Sequence, residues 1–148
     1  MHAELNHNSI SEHDNKKAGQ IIASCVHCGF CLPTCPTYQL SGDELDSPRG
    51  RIYLIKSALE NNYHSSKSLK HIDQCLTCRS CETTCPSGVE YGQLLEIGRE
   101  IMESKRSKLQ TFYRYTVRKT LSTPLLFKPV GYFSVIQKLF QSQLNLKV

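Results

Sequence analysis

At 148 residues, 39% of them hydrophobic and 21% charged, the chain has room for one domain and an appendage but is slightly lean in core-forming residues. The net charge of +5 conceals an asymmetry: residues 1–104 carry nine Lys/Arg against 13 Asp/Glu, whereas 105–148 carry nine Lys/Arg and no acid, which excludes uniform surroundings for the two segments. No apolar run approaches the ~18 residues of a membrane-spanning helix, and residues 1–15 show no apolar signal core.

Residues 1–15, with His2, His7 and His13, read as a flexible polar lead rather than a metal-binding tail. A short helix is expected over 16–24, with Ala18, Ile21 and Ile22 facing inward, and it delivers the chain to Cys25. There the pattern Cys25-x-x-Cys28-x-x-Cys31-x-x-x-Cys35-Pro36 begins. Gly29 lies inside it, where the backbone must approach a bound group closely. Pro36 opens a helical turn over 37–40.

Ser41-Gly42-Asp43 signals a loop. Ser47 and Pro48 then supply an N-cap and a first helical residue. The helix runs to Asn61 with Ile52, Ile55, Ala58 and Leu59 on one face. A second helix over 66–74, with Leu69 and Ile72 inward, leads to Cys75. The pattern returns there as Cys75-x-x-Cys78-x-x-Cys81-x-x-x-Cys85-Pro86, offset by 50 residues and completing the count of eight cysteines.

After it comes a helix over 90–107, its first turn loosened by Gly88 and Gly92. Leu94, Ile97 and Ile101 form its stripe, flanked by Leu95 and Met102. The period continues through Leu109, Phe112, Thr116 and Leu121 until Ser122-Thr123-Pro124 stops it. A last helix is expected over 130–143, with Phe133, Ile136, Leu139 and Phe140 on one side.

Eight cysteines without a secretory signal point to metal rather than disulfides. The run C-x2-C-x2-C-x3-C-P is that of bacterial-type ferredoxins, in which the fourth cysteine serves the other cluster. Two [4Fe–4S] clusters are therefore expected. Cys25, Cys28, Cys31 and Cys85 would hold one, and Cys75, Cys78, Cys81 and Cys35 the other. Thiolate suits iron–sulfur centres, and steps of three residues let one loop reach three corners of a cubane. Four-cysteine zinc sites use well-separated C-x2-C pairs, which this spacing does not match. A three-iron centre needs one cysteine fewer. Eight metal–thiolate bonds would also supply cohesion that the lean core lacks.

His27 and Arg79, between ligands, and Arg49 and Arg51, at the start of the middle helix, are candidates for tuning cluster potential. Solvent-facing loop residues and plain surface charge are the respective alternatives. No Gly-rich phosphate loop, no catalytic Ser/His/Asp or Cys/His set and no flavin motif is visible. The basic segment interleaves Tyr113, Arg114, Tyr115, Arg118 and Lys119, but its apolar residues follow a helical period. Helix packing or a membrane surface is therefore expected there rather than nucleic acid.

The 39 residues between Cys35 and Cys75 read as two helices, which favours a mainly α, helical ferredoxin fold over the small βαβ type. The expected domains are the lead 1–15, a two-cluster helical domain 16–104 and a basic amphipathic helical extension 105–148.

Three stretches carry a family resemblance: Cys25-Val-His-Cys-Gly-Phe-Cys-Leu-Pro-Thr-Cys-Pro-Thr-Tyr38, Ser47-Pro-Arg-Gly-Arg-Ile52 and Gln74-Cys-Leu-Thr-Cys-Arg-Ser-Cys-Glu-Thr-Thr-Cys-Pro-Ser-Gly-Val-Glu-Tyr91. Over about 14–121 the chain resembles the N-terminal part of the iron–sulfur subunit of glycolate oxidase. The bare cysteine pattern is shared with subunits of glycerol-3-phosphate dehydrogenase and heterodisulfide reductase. The resemblance implies flavin-bearing partner subunits that oxidise glycolate, and electrons passed through the two clusters toward a quinone. The resemblance also implies a further cysteine-rich half that is absent from these 148 residues. Separately, a cytoplasmic location is expected, peripheral at the inner face of the membrane through the basic tail. A subunit for lactate, glycerol 3-phosphate or a disulfide, or a stand-alone ferredoxin-like carrier, is the alternative.

Overall fold

The computed structural model describes residues 10–61, 65–103, 106–124 and 132. The helix expected over 130–143 lies outside them, apart from Tyr132. Every regular element among the described residues is helical: α1 (Glu12–Ser24), α2 (Pro36–Ser41), a 3-10 turn (Glu44–Asp46), α3 (Pro48–Asn61), α4 (Ser66–Asp73), α5 (Ser80–Thr83), α6 (Tyr91–Glu103) and α7 (Lys108–Ser122). The chain divides into two units, Met1–Lys105 and Arg106–Val148.

In the first unit α6 is the central helix and packs against α1, α3 and α4. Its stripe is the one that the 3.6-residue period predicts. Leu94, Leu95, Ile97, Ile101 and Met102 are buried, and they meet Ile21 and Ile22 of α1, Ile52, Ile55 and Leu59 of α3, and Ile72 of α4 in one core. Burying a side chain such as Ile55 stabilises by about 1.5–3 kcal/mol.

Several boundaries differ from expectation, each because of a cap. The first turn of α1 takes in residues 12–15, which the sequence left in the flexible lead. The Ser11 hydroxyl accepts the Asp14 N–H at 3.1 Å, so the polar stretch opens a helix. The helix expected over 90–107 is shorter, because α6 ends at Glu103. Ser107 instead caps a new helix, accepting the Gln110 N–H at 3.4 Å. Between Cys35 and Cys75 the turn expected after Pro36 and the two expected helices are present as α2, α3 and α4, and a 3-10 turn is added where a loop was expected. Asp43 starts that turn by accepting the Leu45 N–H at 2.9 Å. Within the second unit, α7 leaves Leu109, Phe112, Tyr113 and Leu121 exposed among basic residues. No helix among the described residues is long and apolar enough to cross a membrane.

The phrase Ser47-Pro-Arg-Gly-Arg-Ile52 is a packing device. The Ser47 hydroxyl accepts the Gly50 N–H at 3.0 Å and caps α3. Pro48 takes the first helical position. Arg49 pairs with Glu44 of the 3-10 turn. Gly50 lets that turn lie against the helix, since a Cβ there would overlap the Glu44 carbonyl and fall 3.0 Å from the Leu45 Cα. Arg51 and Ile52 turn inward and are buried. The obstacle at Gly50 is backbone, which cannot rotate away. Gly50→Ala is therefore expected to destabilise by about 1–3 kcal/mol or more, read as a lowered midpoint in urea unfolding followed by circular dichroism. A midpoint within error of wild type would contradict this packing.

Candidate metal centre

The two cysteine loops share one backbone design. The residues flanking the middle cysteine are left-handed in both: His27 at φ 55° and Gly29 at φ 86° in the first, Thr77 at φ 58° and Arg79 at φ 57° in the second. Only one of these four is glycine, so the loops hold three non-glycine residues in a conformation that costs about 1–2 kcal/mol each. Such alternation turns successive N–H groups toward a common centre and makes a concavity for an anion. This backbone feature is the part of the site that the spacing of the cysteines did not reveal.

Two cavities lie against these loops. The first is lined by Cys25, Cys28, Cys31 and Cys85, with Cys81 also on its wall. The second is lined by Cys35, Cys75, Cys78 and Cys81. Each loop thus lends its last cysteine to the cavity of the other. Tyr91 and Pro48 line both cavities, so the two are neighbours. None of the eight cysteines is in a disulfide. Burial pushes the Cys81 thiol up to about 12, with Cys31 and Cys75 close enough to add to the effect. Burial also raises Cys31. The backbone and hydroxyl of Ser80 lower Cys78, which is exposed. Eight sulfurs in two tetrads, each facing a concavity of N–H groups, are a donor set that fits an anionic iron–sulfur cubane.

The four candidate tuning residues separate. His27 and Arg49 line the first cavity and Arg79 the second. Arg79 reaches an exposed partner, Glu96, at 3.5 Å. Arg51 is not a surface charge: only 1% of it is exposed. Its Nε donates to the His71 carbonyl at 2.7 Å and its Nη1 to the Thr37 hydroxyl at 2.9 Å. Its Nη2 lies 3.4 Å from the Asp46 carboxylate, and its Nη1 lies 3.9 Å from the Cys35 sulfur. Three residues that the sequence did not single out complete this network. His71 Nδ1 lies 2.9 Å from the Asp46 carboxylate. The Thr37 hydroxyl is 3.2 Å from the Cys35 sulfur and 2.9 Å from the Asp46 carbonyl. No periodicity marks a Thr, an Asp, an Arg and a His spread over 34 positions as one cluster.

Two further contacts hold the second loop. The Tyr91 hydroxyl points at the Cys75 sulfur at 3.6 Å, and Arg99 donates to the Cys75 carbonyl at 2.8 Å. Burial, with the Cys75 sulfur beside it, pushes the Tyr91 phenol above its ordinary value, which keeps it a neutral donor.

Burial alone would raise Asp46. The hydrogen bond from His71, a further one from Ser41 and the charges of His71 and Arg51 outweigh burial and hold it below its usual value. A depressed carboxylate contributes stability that is complete above its unfolded value of about 3.9 and is lost as pH falls through the lower folded value. Asp46→Asn should therefore be less stable than wild type at pH 7. The gap should close as the pH is lowered below about 4, in denaturant midpoints measured across pH. Arg51→Met leaves the carboxylate buried without its cation and should lose about 3–5 kcal/mol at pH 7. Loss of less than about 1 kcal/mol would show that the pair is dispensable.

Comparison with known proteins agrees with this geometry. Residues 21–89 match the family model of the 4Fe-4S dicluster domain. The chain is 52% identical over 126 residues to the glycolate oxidase iron-sulfur subunit of Escherichia coli strain K12, covering 84% of this chain and 31% of that protein. It is 45% identical over 101 residues to the probable glycolate oxidase iron-sulfur subunit of Bacillus subtilis strain 168, covering 67% of this chain and 22% of the relative. Similarity extends, at 29% over 91 residues, to a subunit of the dihydromethanophenazine:CoB–CoM heterodisulfide reductase of Methanosarcina mazei, covering 51% of this chain and 22% of that protein. The chain thus spans less than a third of the length of these relatives. No solved structure matches it. Two cysteine-lined cavities in a helical frame, the match of residues 21–89 to the 4Fe-4S dicluster domain and the similarity to glycolate oxidase iron–sulfur subunits lead to one conclusion: the eight cysteines hold two [4Fe–4S] clusters.

Proposed function

We propose that this chain is the electron-relaying iron–sulfur part of a glycolate-oxidising complex. Flavin-bearing partner subunits remove electrons from glycolate, and the electrons cross the chain one at a time toward a quinone. The carrying observation is that the two cysteine-lined cavities are adjacent, sharing Cys81, Pro48 and Tyr91 on their walls. Two neighbouring redox centres form a relay. Among possible donors, glycolate is supported by the 52% identity to the E. coli glycolate oxidase iron-sulfur subunit.

In this reading Cys25, Cys28, Cys31 and Cys85 ligate one cluster, and Cys75, Cys78, Cys81 and Cys35 the other. Bound there, the clusters supply reversible one-electron storage. The chain's own residues position the sulfurs, offset their charge with N–H groups and limit access of water. The reading has the chain work in the cytoplasm, with segment 105–148 peripheral to the inner face of the membrane. Its support is charge: nine Lys/Arg and no acid, with apolar side chains exposed along α7.

The test is reconstitution. The loaded chain should contain about eight iron and eight sulfide, as two cubanes require. Glycolate added with the flavin partners should produce the EPR signals of reduced clusters. Clusters that stay oxidised under glycolate but are reduced by dithionite would sink the glycolate assignment while sparing the relay. Cys85→Ser should abolish one cluster signal and Cys35→Ser the other. If both variants abolish the same signal, the partition of ligands is wrong.

A further inference from the structure

Helix α6 holds one cysteine in two places. Its first residue, Tyr91, brings a hydroxyl to 3.6 Å from the Cys75 sulfur. Two turns later Arg99 donates to the Cys75 carbonyl at 2.8 Å and to the Thr77 hydroxyl at 3.0 Å. The same helix thus fixes the backbone that carries the Cys75 sulfur and the group that meets that sulfur. Tyr91 belongs to the buried core, so the contact is held from both ends.

Tyr91 differs from the other hydroxyls near the sulfurs. Thr37 lies 3.2 Å from the Cys35 sulfur but gives its proton to the Asp46 carbonyl at 2.9 Å. Ser80 serves Cys78, which is exposed, so water can do the same there. Tyr91 is only 5% exposed, and although its side chain lines both cavities, its hydroxyl donates to Cys75. A phenol keeps its proton at neutral pH, so Tyr91 is a donor toward sulfur. Without that acceptor a buried hydroxyl would forfeit a hydrogen bond. Tyr91 carries no charge and lies outside both cysteine runs, so the sequence did not mark it beside His27, Arg79, Arg49 and Arg51.

Reduction places more negative charge on cysteine ligands. A donor aimed at a ligand sulfur stabilises the reduced state more than the oxidised one, which raises the potential. Burial strengthens that effect, because little water is present to screen it.

We propose that Tyr91 is a tuning residue: its buried hydroxyl, bonded to the Cys75 sulfur, raises the potential of the site formed by Cys75, Cys78, Cys81 and Cys35 above the value that site would have without it. The effect belongs to that site and does not rank it against the other. It rests on the ligand partition proposed above. An electron taken up there comes from an external reductant, and the phenol proton stays on its oxygen, so no bond forms or breaks.

Anaerobic titration of the reconstituted full chain with dithionite, followed by EPR, tests this. Cys35→Ser identifies the wave of the site by removing it. Tyr91→Phe deletes only the hydroxyl and leaves too little room for a water to replace it. It should lower the wave that Cys35→Ser removes by about two- to tenfold in its one-electron equilibrium, tenfold being ~59 mV, and leave the other wave in place. ENDOR of the reduced site in light and heavy water should show one exchangeable proton fewer in the variant. If Tyr91→Phe does not take up clusters, a ring-fluorinated tyrosine placed at position 91 keeps the hydroxyl, makes it a stronger donor and should raise the same wave. An unmoved wave, or a shift confined to the other wave, overturns the inference. If Cys35→Ser and Cys85→Ser remove the same wave, the ligand partition falls and the inference with it. A merely structural Tyr91 would lower the urea midpoint of the variant and leave both potentials in place.

Discussion

The structure depends on an exchange of cysteines. Cys35 leaves the first loop to line the second cavity, and Cys85 leaves the second loop to line the first. Neither tetrad of sulfurs can gather until both loops are in position. Everything between the loops serves that constraint. The core of α1, α3, α4 and α6 holds the chain segments that enter and leave each loop. Sulfur packing works against this when no iron is bound, because burial favours the neutral thiols of Cys81 and Cys31. Iron must displace those protons, so folding and metal binding are expected to be coupled.

The two loops are alike in backbone and unlike in surroundings. Both turn left-handed on either side of their middle cysteine. The second is additionally tied to the helical frame: Arg99 of α6 holds the Cys75 carbonyl and Tyr91 caps the Cys75 sulfur. Arg51 of α3 joins α2, the 3-10 turn and α4 behind Cys35.

Much of the fold was legible in order along the chain. The apolar periods of α3, α4 and α6 named the residues that are buried, because a helix side that meets a core must repeat at about 3.6 residues. Ser47-Pro48 marked the start of α3 for a local reason, a hydroxyl and a ring that suit the first turn. Boundaries were missed where a cap sits in a polar run. Ser11 draws residues 12–15 into α1, and Ser107 begins a helix inside what reads as one continuous period. Arg51 illustrates the limit at the site: the sequence leaves it open between cluster tuning and plain surface charge, and only the partners that meet it in space reveal it as buried.

The eight cysteines, their two identical spacings and the choice of iron–sulfur chemistry over zinc or disulfides are properties of the sequence by itself. Ligand type and local spacing are set along the chain, where three sulfurs per loop must reach one centre. The tertiary structure alone decided what surrounds each tetrad. The network of Thr37, Asp46, Arg51 and His71 joins positions that no local period connects, and it exists because α3 and α4 pack behind Cys35. Hydrogen bonds to a sulfur depend on distance and direction, so they are created by packing and cannot be read from spacing.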